Sequence, residues 1–179
     1  MVIRNTNNAV IVYFSRTGEN YTVGEIEVGN TAKVAAEIAR QTGAPRIEIV
    51  PVEPYPDVYD QAVAQATEER KRCVRPAFSL EGDASVLDSA NMVFLGYPIW
   101  WADMPMPVYA FLGSRDWSGK TIVPFCTHEG SRLSDTEESI ARITGATVLR
   151  GLAFRGETAQ HDVLAVSRGV RHWLGSIND

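Results

Sequence analysis

The sequence predicts an α/β protein built on a doubly wound parallel sheet. Short apolar runs alternate with amphipathic helical patterns about five times along the chain. The runs are continuously apolar, so both faces of each strand are buried, as in parallel sheets. Three of the runs end in loops rich in hydroxyl, glycine or aromatic residues. In such sheets ligands bind beyond the carboxyl ends of the strands, where strand order reverses.

The bounds agree with one domain over residues 1–179. Apolar residues make up 45% and charged residues 22%, ordinary for a globular chain. The net charge of −5 argues against nucleic acid, which needs a basic footprint. Cys73 and Cys126 lie far apart without C-x-x-C spacing, so neither a disulfide framework nor a thiolate metal site follows. No apolar run approaches the ~18 residues of a membrane span, and no signal segment opens the chain. A cytoplasmic protein without membrane insertion is expected.

Met1 to Asn8 reads as a short polar leader, and Ala9 to Phe14 as the first strand. Ser15-Arg16-Thr17-Gly18 follows, then an insertion from Glu19 to Gly29. Within it, Gly24-Glu25 is flanked by Tyr21-Thr22-Val23 and Ile26-Glu27-Val28, which reads as a small hairpin flap turning at Gly24-Glu25. Asn30-Thr31 opens a helix over Ala32 to Arg40 that stops at Gly43. Arg46 to Val52 is a strand, Pro51 to Pro56 a breaker, and Tyr59 to Lys71 a helix. Pro76 to Leu80 is ambiguous, and Val86 to Ala90 finishes a short helix.

Asn91 to Gly96 is the next strand, ending in a loop from Tyr97 to Asp103. Pro105 and Pro107 suit the first turn of a helix, where a missing N–H costs little. Thr121 to Cys126 is a strand ending in a loop from Thr127 to Arg132. Ser134-x-x-Glu137 has the capping-box pattern for the helix beyond. Ala146 to Phe154 reads as the last strand. Val163, Val166, Val170, Trp173 and Leu174 form the core stripe of the last helix.

The first of the three loops has the chemistry of an anion site. Gly18 lets the backbone turn closely, Ser15 and Thr17 offer hydroxyls, and the helix opening at Asn30-Thr31 supplies orphan N–H groups and its dipole. Adjacent Trp100 and Trp101 in a loop suit a planar ring, although packing on the core is the ordinary fate of a single loop tryptophan.

Ser15-Arg16-Thr17-Gly18 with Asn30-Thr31 resembles the interrupted phosphate loop of flavodoxin-like proteins. GYPIWWADMPMP resembles their G-x-P-I-W-W segment, and TIVPFCTHEGSRL their T-I-x-P-F-x-T-[ST]-G-G-S segment. His128-Glu129 stands where small residues are usual. The resemblance covers nearly the whole chain. It implies a flavodoxin-like five-stranded parallel sheet of order 2-1-3-4-5 with helices on both faces, and FMN as cofactor. It assigns Ser15, Arg16, Thr17, Gly18, Asn20, Asn30 and Thr31 to the phosphate, with the nearer of Asn20 and Asn30 left open. It assigns Pro98, Ile99, Trp100, Trp101 and Ala102 to one side of the ring, and Thr127, His128, Glu129, Gly130 and Ser131 to the other. His128 either touches the ligand or is an exposed loop residue. Asp103 and Glu129 either shape the field around the ring or keep the loops soluble.

Competing motifs are absent. Ser118 to Thr121 ends like a Walker A loop but precedes its strand, and there is no G-x-G-x-x-G or G-x-S-x-G. His128, His161 and His172 have no i, i+4 pairing for zinc. The implied function is an electron carrier that serves a redox partner protein. The alternative is an FMN-dependent NAD(P)H:quinone or small-acceptor oxidoreductase, and a third is a binding module that has lost FMN. Acidic, apolar surroundings would lower the flavin's potential. No catalytic or metal residue is assigned, and the oligomeric state is open.

Overall fold

A computed structural model of the chain describes residues 8–177; the polar leader expected at the N-terminus falls almost wholly outside them. The central strands are β1 (Ala9–Tyr13), β4 (Arg46–Pro51), β6 (Met92–Pro98) and β7 (Thr121–His128). β1 pairs in parallel with β4 on one side and β6 on the other, and β6 pairs in parallel with β7. Along β1, Val10 and Val12 enter one apolar layer while Ala9, Ile11 and Tyr13 enter the other. That two-sided burial is why the run carries no polar alternation.

The expected α/β class holds, but the sheet has seven strands rather than five, so its order departs from the expected 2-1-3-4-5. The ambiguous stretch near Phe78 is β5 (Phe78–Glu81), antiparallel to β4 at the edge. The expected last strand is broken into β8 (Thr147–Val148) and β9 (Leu152–Arg155), both parallel to β7. The break falls beside Pro124 of β7. Proline has no N–H to donate to the ladder, so the chain detours there. Gly151 makes the close approach: a Cβ on it would lie 2.8 Å from the Pro124 carbonyl oxygen.

Helices cover both faces. α1 (Asn30–Thr42) and α7 (Val163–Ser176) close one layer with Val34, Ile38, Val170, Trp173 and Leu174. α4 (Met106–Gly113) and α5 (Thr136–Thr144) close the other with Val108, Phe111 and Ile140. α1 ends as read: Gly43 adopts φ +74° and its N–H returns to Ala39 O at 2.8 Å. α2 (Tyr59–Lys71) has the expected bounds, and α3 (Val86–Ser89) and α6 (Gly156–His161) are short. Among the described residues no helix is long and apolar enough to cross a membrane. Cys73 is exposed, Cys126 is buried, and both are free thiols.

Four local expectations are corrected. The flap is a hairpin, but its strands are β2 (Gly18–Asn20) and β3 (Gly24–Ile26), turning at Tyr21-Thr22-Val23. Thr22 (φ +65°) and Gly24 (φ +71°) supply the left-handed backbone that closes this turn. Tyr97, Pro98, Thr127 and His128 belong to strands, not loops. The capping box does not form: α5 starts after Asp135 with no side-chain cap, and Glu137 instead accepts the Gly151 N–H at 2.7 Å, at the detour beside Pro124. Val163 heads the α7 stripe but is 69% exposed, so the buried stripe starts at Val166.

Candidate functional site

The loop leaving β1 wraps the start of α1. Phe14 N–H still bonds Gly96 O at 2.9 Å, and the chain then lifts away from the sheet. Ser15 Oγ accepts the Ala32 N–H at 3.1 Å, capping α1 from another element, since the residue at the cap is Gly29. A Cβ on Gly29 would lie 2.1 Å from Ser15 Oγ and 2.6 Å from Arg16 O, so only glycine lets the two segments pass. The backbone N–H groups of Ser15, Arg16, Thr17, Asn30 and Thr31 have no hydrogen-bond partner among the described residues. Clustered free N–H groups at a helix N-terminus form an anion-binding concavity.

The side chains around this loop mostly build it. Asn20 Nδ2 donates to the carbonyl oxygens of Arg16, Thr17 and Gly18 at 3.1–3.4 Å. Asn30 Oδ1 accepts from Gln160 Nε2 at 2.7 Å, while Asn30 Nδ2 has no partner among the described residues. Of the two asparagines, Asn30 therefore keeps free donor capacity. Thr31 and Thr127 hydroxyls share a buried 2.8 Å hydrogen bond that ties α1 to the end of β7. Arg16 is a strap: its guanidinium donates to the carbonyls of Glu19, Pro56 and Asp57. Gly18 (φ +74°) lies against Asp57, and Glu19 Oε2 accepts the Tyr59 N–H at 2.9 Å, so the flap is fastened to the start of α2.

Beside the loop opens a cleft of about 320 Å³. Of the residues expected at the site, Arg16, Asn20, Asn30, Pro98, Ile99, Trp100, Trp101, Thr127, His128 and Glu129 line it. Ser15 and Thr31 stand behind it, joined to Ala32 and Thr127. Thr17, Ala102, Gly130 and Ser131 are exposed and do not line it, and Gly18 is buried against Asp57.

The tryptophans differ. Trp100 is held edge-on by Phe14 (5.6 Å, 89°) and Tyr55 (5.1 Å, 85°). Trp101 is 42% exposed. Trp100 and Asp103 exchange backbone hydrogen bonds of 2.9 and 3.1 Å around Trp101 (φ +49°) and Ala102 (φ +58°). Two successive left-handed residues without glycine make a strained turn, which holds Trp101 out at the cleft mouth.

At the β7 end His128 is only 9% exposed. Its Nδ1 accepts the Gly130 N–H at 2.9 Å. Burial, then the charges of Arg155 and Arg132, lower its pKa below the ordinary histidine value. Glu129 reaches toward α1: a Cβ on Gly156 would lie 2.4 Å from Glu129 Oε1 and 2.5 Å from Asn30 Nδ2. Asp103 is engaged locally, its Oδ1 accepting from Met104 N–H and the Tyr109 hydroxyl, and it does not line the cleft.

Sequence reasoning missed Tyr21, Tyr59, Ala62, Val63 and Ala66 as cleft residues. The last four sit on the α2 stripe, which is indistinguishable by periodicity from a core face. Tyr21 stacks on Tyr59 with centroids 6.0 Å apart. An aromatic residue in a flap expected beside the ligand was the available signal.

No curated protein matches the chain. A candidate flavoprotein from Bacteroides eggerthii has a similar structure (TM-score 0.74) at 24% identity, covering 96% of this chain and 98% of that one. A flavoprotein in complex with FMN from Lactobacillus acidophilus is similar at TM-score 0.62 and 17% identity, covering 84% and 94%. An NADH:FMN oxidoreductase in apo form is similar at TM-score 0.51 and 15% identity, covering 94% and 89%. At these identities the structural likeness establishes the fold. Residues 10–166, from the first strand into the last helix, match the family described as Flavodoxin, and the chain belongs to that family.

Proposed function

We propose that the cleft binds FMN and that the protein transfers electrons through it. The observation that carries this reading is the set of unpartnered backbone N–H groups at Ser15 to Thr17 and Asn30-Thr31, packed around Gly29, of which Arg16 and Asn30 line an aromatic-walled cleft. A phosphate suits the first part and a flat heteroaromatic ring the second. The residues present fit FMN. The phosphate would be held by backbone N–H groups, the α1 dipole and Asn30 Nδ2, because the Arg16 guanidinium is already engaged by carbonyl oxygens. Pro98 to Trp101 would flank the ring on one side and Thr127 to Glu129 on the other.

Bound FMN supplies one- and two-electron redox chemistry; the protein supplies binding, orientation and field. The Trp100 cluster gives a rigid apolar wall, and Trp101 shields the mouth from water. The field at the β7 end is mixed: Glu129 is acidic, while Arg132 and Arg155 act on His128 from the same region. Electrons would pass to a redox partner protein or a small acceptor.

A second reading is favoured by one feature. Tyr21, Tyr59 and Val63 extend the cleft beneath the flap, giving room for a small substrate beside the cofactor. That would suit an NAD(P)H-dependent oxidoreductase acting on a quinone or similar acceptor. An anaerobic stopped-flow mix of FMN-reconstituted protein with NADH or NADPH separates the readings. Persistence of the bound-flavin spectrum supports a carrier reduced by a protein partner. Rapid bleaching refutes the simple carrier and supports the oxidoreductase. If reconstitution gives no bound-flavin spectrum, the cofactor assignment is overturned.

A further inference from the structure

His128 is a buried side chain with one nitrogen unaccounted for. It ends β7, is 9% exposed, and lines the cleft. Nδ1 accepts the Gly130 N–H, so in the neutral ring the proton resides on Nε2. A proton on Nδ1 would set two donors against each other. The neighbouring arginines also oppose an imidazolium: Arg155 sits opposite His128 in the β7–β9 register, and Arg132 follows in the loop. Glu129 extends instead toward Gly156 and Asn30. Nε2 has no partner among the described residues and is not one of the fully buried unpartnered atoms, so it opens on the cleft that His128 lines, free to donate to a ligand there. The adjacent Thr127 hydroxyl is committed to Thr31 and does not compete for a ligand.

We propose that His128, as a neutral imidazole, is the hydrogen-bond donor that reads the ring of the ligand in the cleft. Its Nε2–H faces an acceptor, a carbonyl oxygen or unprotonated ring nitrogen of a bound heteroaromatic. This rests on the reading of the cleft as an FMN site and adds a specificity-determining contact to it. The contact is to the ring, so it acts equally on FMN and on riboflavin, which lacks the phosphate. The Gly130 N–H fixes the ring orientation, and the site favours ligands that present an acceptor over those that present a donor there.

The test compares wild type, His128→Phe and His128→Gln. Phenylalanine keeps a ring and removes both nitrogens; glutamine restores a donor that reaches the Nε2 position but not the Nδ1 acceptor. Dissociation constants for FMN and riboflavin are measured by flavin fluorescence, with thermal melts as folding controls. Nitrogen-15 NMR of wild type reports the histidine tautomer with and without FMN. The Nε2–H tautomer is expected, with its resonance shifted by FMN. His128→Phe is expected to weaken both ligands about five- to tenfold, the worth of one hydrogen bond, and His128→Gln to recover to within about threefold of wild type. Wild-type affinity in His128→Phe overturns the proposal. So does an Nδ1–H tautomer, or a Gln variant no better than Phe, which would assign the effect to the Gly130 contact. These outcomes leave the FMN reading intact, whereas wild-type protein that binds no FMN overturns both. The tautomer measurement needs no variant to fold.

Discussion

Gly29→Ala probes the geometry on which the proposed phosphate site depends. Gly29 has φ −61° and ψ 150°, a conformation alanine adopts freely, so no backbone strain arises. By unfolded-state entropy alone the change would stabilise the protein by about 0.4–1 kcal/mol. The opposing effect is steric. The new Cβ would stand 2.1 Å from Ser15 Oγ, where an unforced carbon–oxygen contact lies near ~3.3 Å. Rotating the Ser15 hydroxyl away sacrifices its bond to Ala32 N–H, worth about 1 kcal/mol as a helix cap. Arg16 O, at 2.6 Å, belongs to the backbone and has no rotamer to yield, which adds crowding of about 1–3 kcal/mol. The net loss is about 1–3 kcal/mol, or a fall in melting temperature of roughly 3–10 °C for a chain of this length. Ser15→Ala loses only the cap and is expected to fall by about 2–4 °C. Circular-dichroism melts of both variants against wild type decide the matter. Gly29→Ala melting within about 1 °C of wild type, or less destabilised than Ser15→Ala, would refute the close packing of the two segments.

Thr127→Val leaves the Thr31 hydroxyl buried without a partner and is expected to cost about 1–3 kcal/mol in chemical denaturation; the double variant with Thr31→Val should recover most of that loss. His128 carries a lowered pKa, so the unfolded chain binds its proton first. Its contribution to stability is fully present above the unfolded value of about 6.5 and is lost as pH falls from there through the lower folded value, so His128→Gln should flatten the stability profile in that window. Arg16→Met frees the carbonyls of Glu19, Pro56 and Asp57, and hydrogen exchange at the Glu19 N–H, bonded to Asp57 O at 2.8 Å, should quicken roughly tenfold; unchanged exchange would show that the flap does not need the strap.

Much of the fold was legible because burial on two faces leaves a local signature. The runs Ala9 to Phe14 and Thr121 to Cys126 have no polar alternation, and both are central strands. Gly43 marked a helix end because its left-handed backbone disfavours other residues. The flap turn was misplaced within its own hairpin, and two other misreadings came where a local signal met a distant group. The Ser134-x-x-Glu137 pattern is sound as a cap, but Gly151 offers Glu137 a donor that only the folded chain brings near. The last strand looked continuous because nothing within it reports that Pro124, on the neighbouring strand, lacks an N–H.

At the site, the sequence alone determined which loops lie at the carboxyl ends of buried strands, and which residues there have the chemistry for a phosphate and a ring. Strand burial and turn chemistry are short-range, so they are written locally. Tertiary structure decided the direction and employment of each side chain. It turned Arg16 onto carbonyls, Asn20 into its own loop and Ser15 onto α1, and it brought Tyr21 and the α2 stripe to the cleft. It also buried His128 with Nδ1 taken and Nε2 left over. The Arg16 and Ser15 outcomes depend on donors and acceptors that meet across elements distant in sequence, which no local pattern encodes; the Asn20 and Gly130–His128 bonds are short-range, but what surrounds them was decided by the packing of the elements.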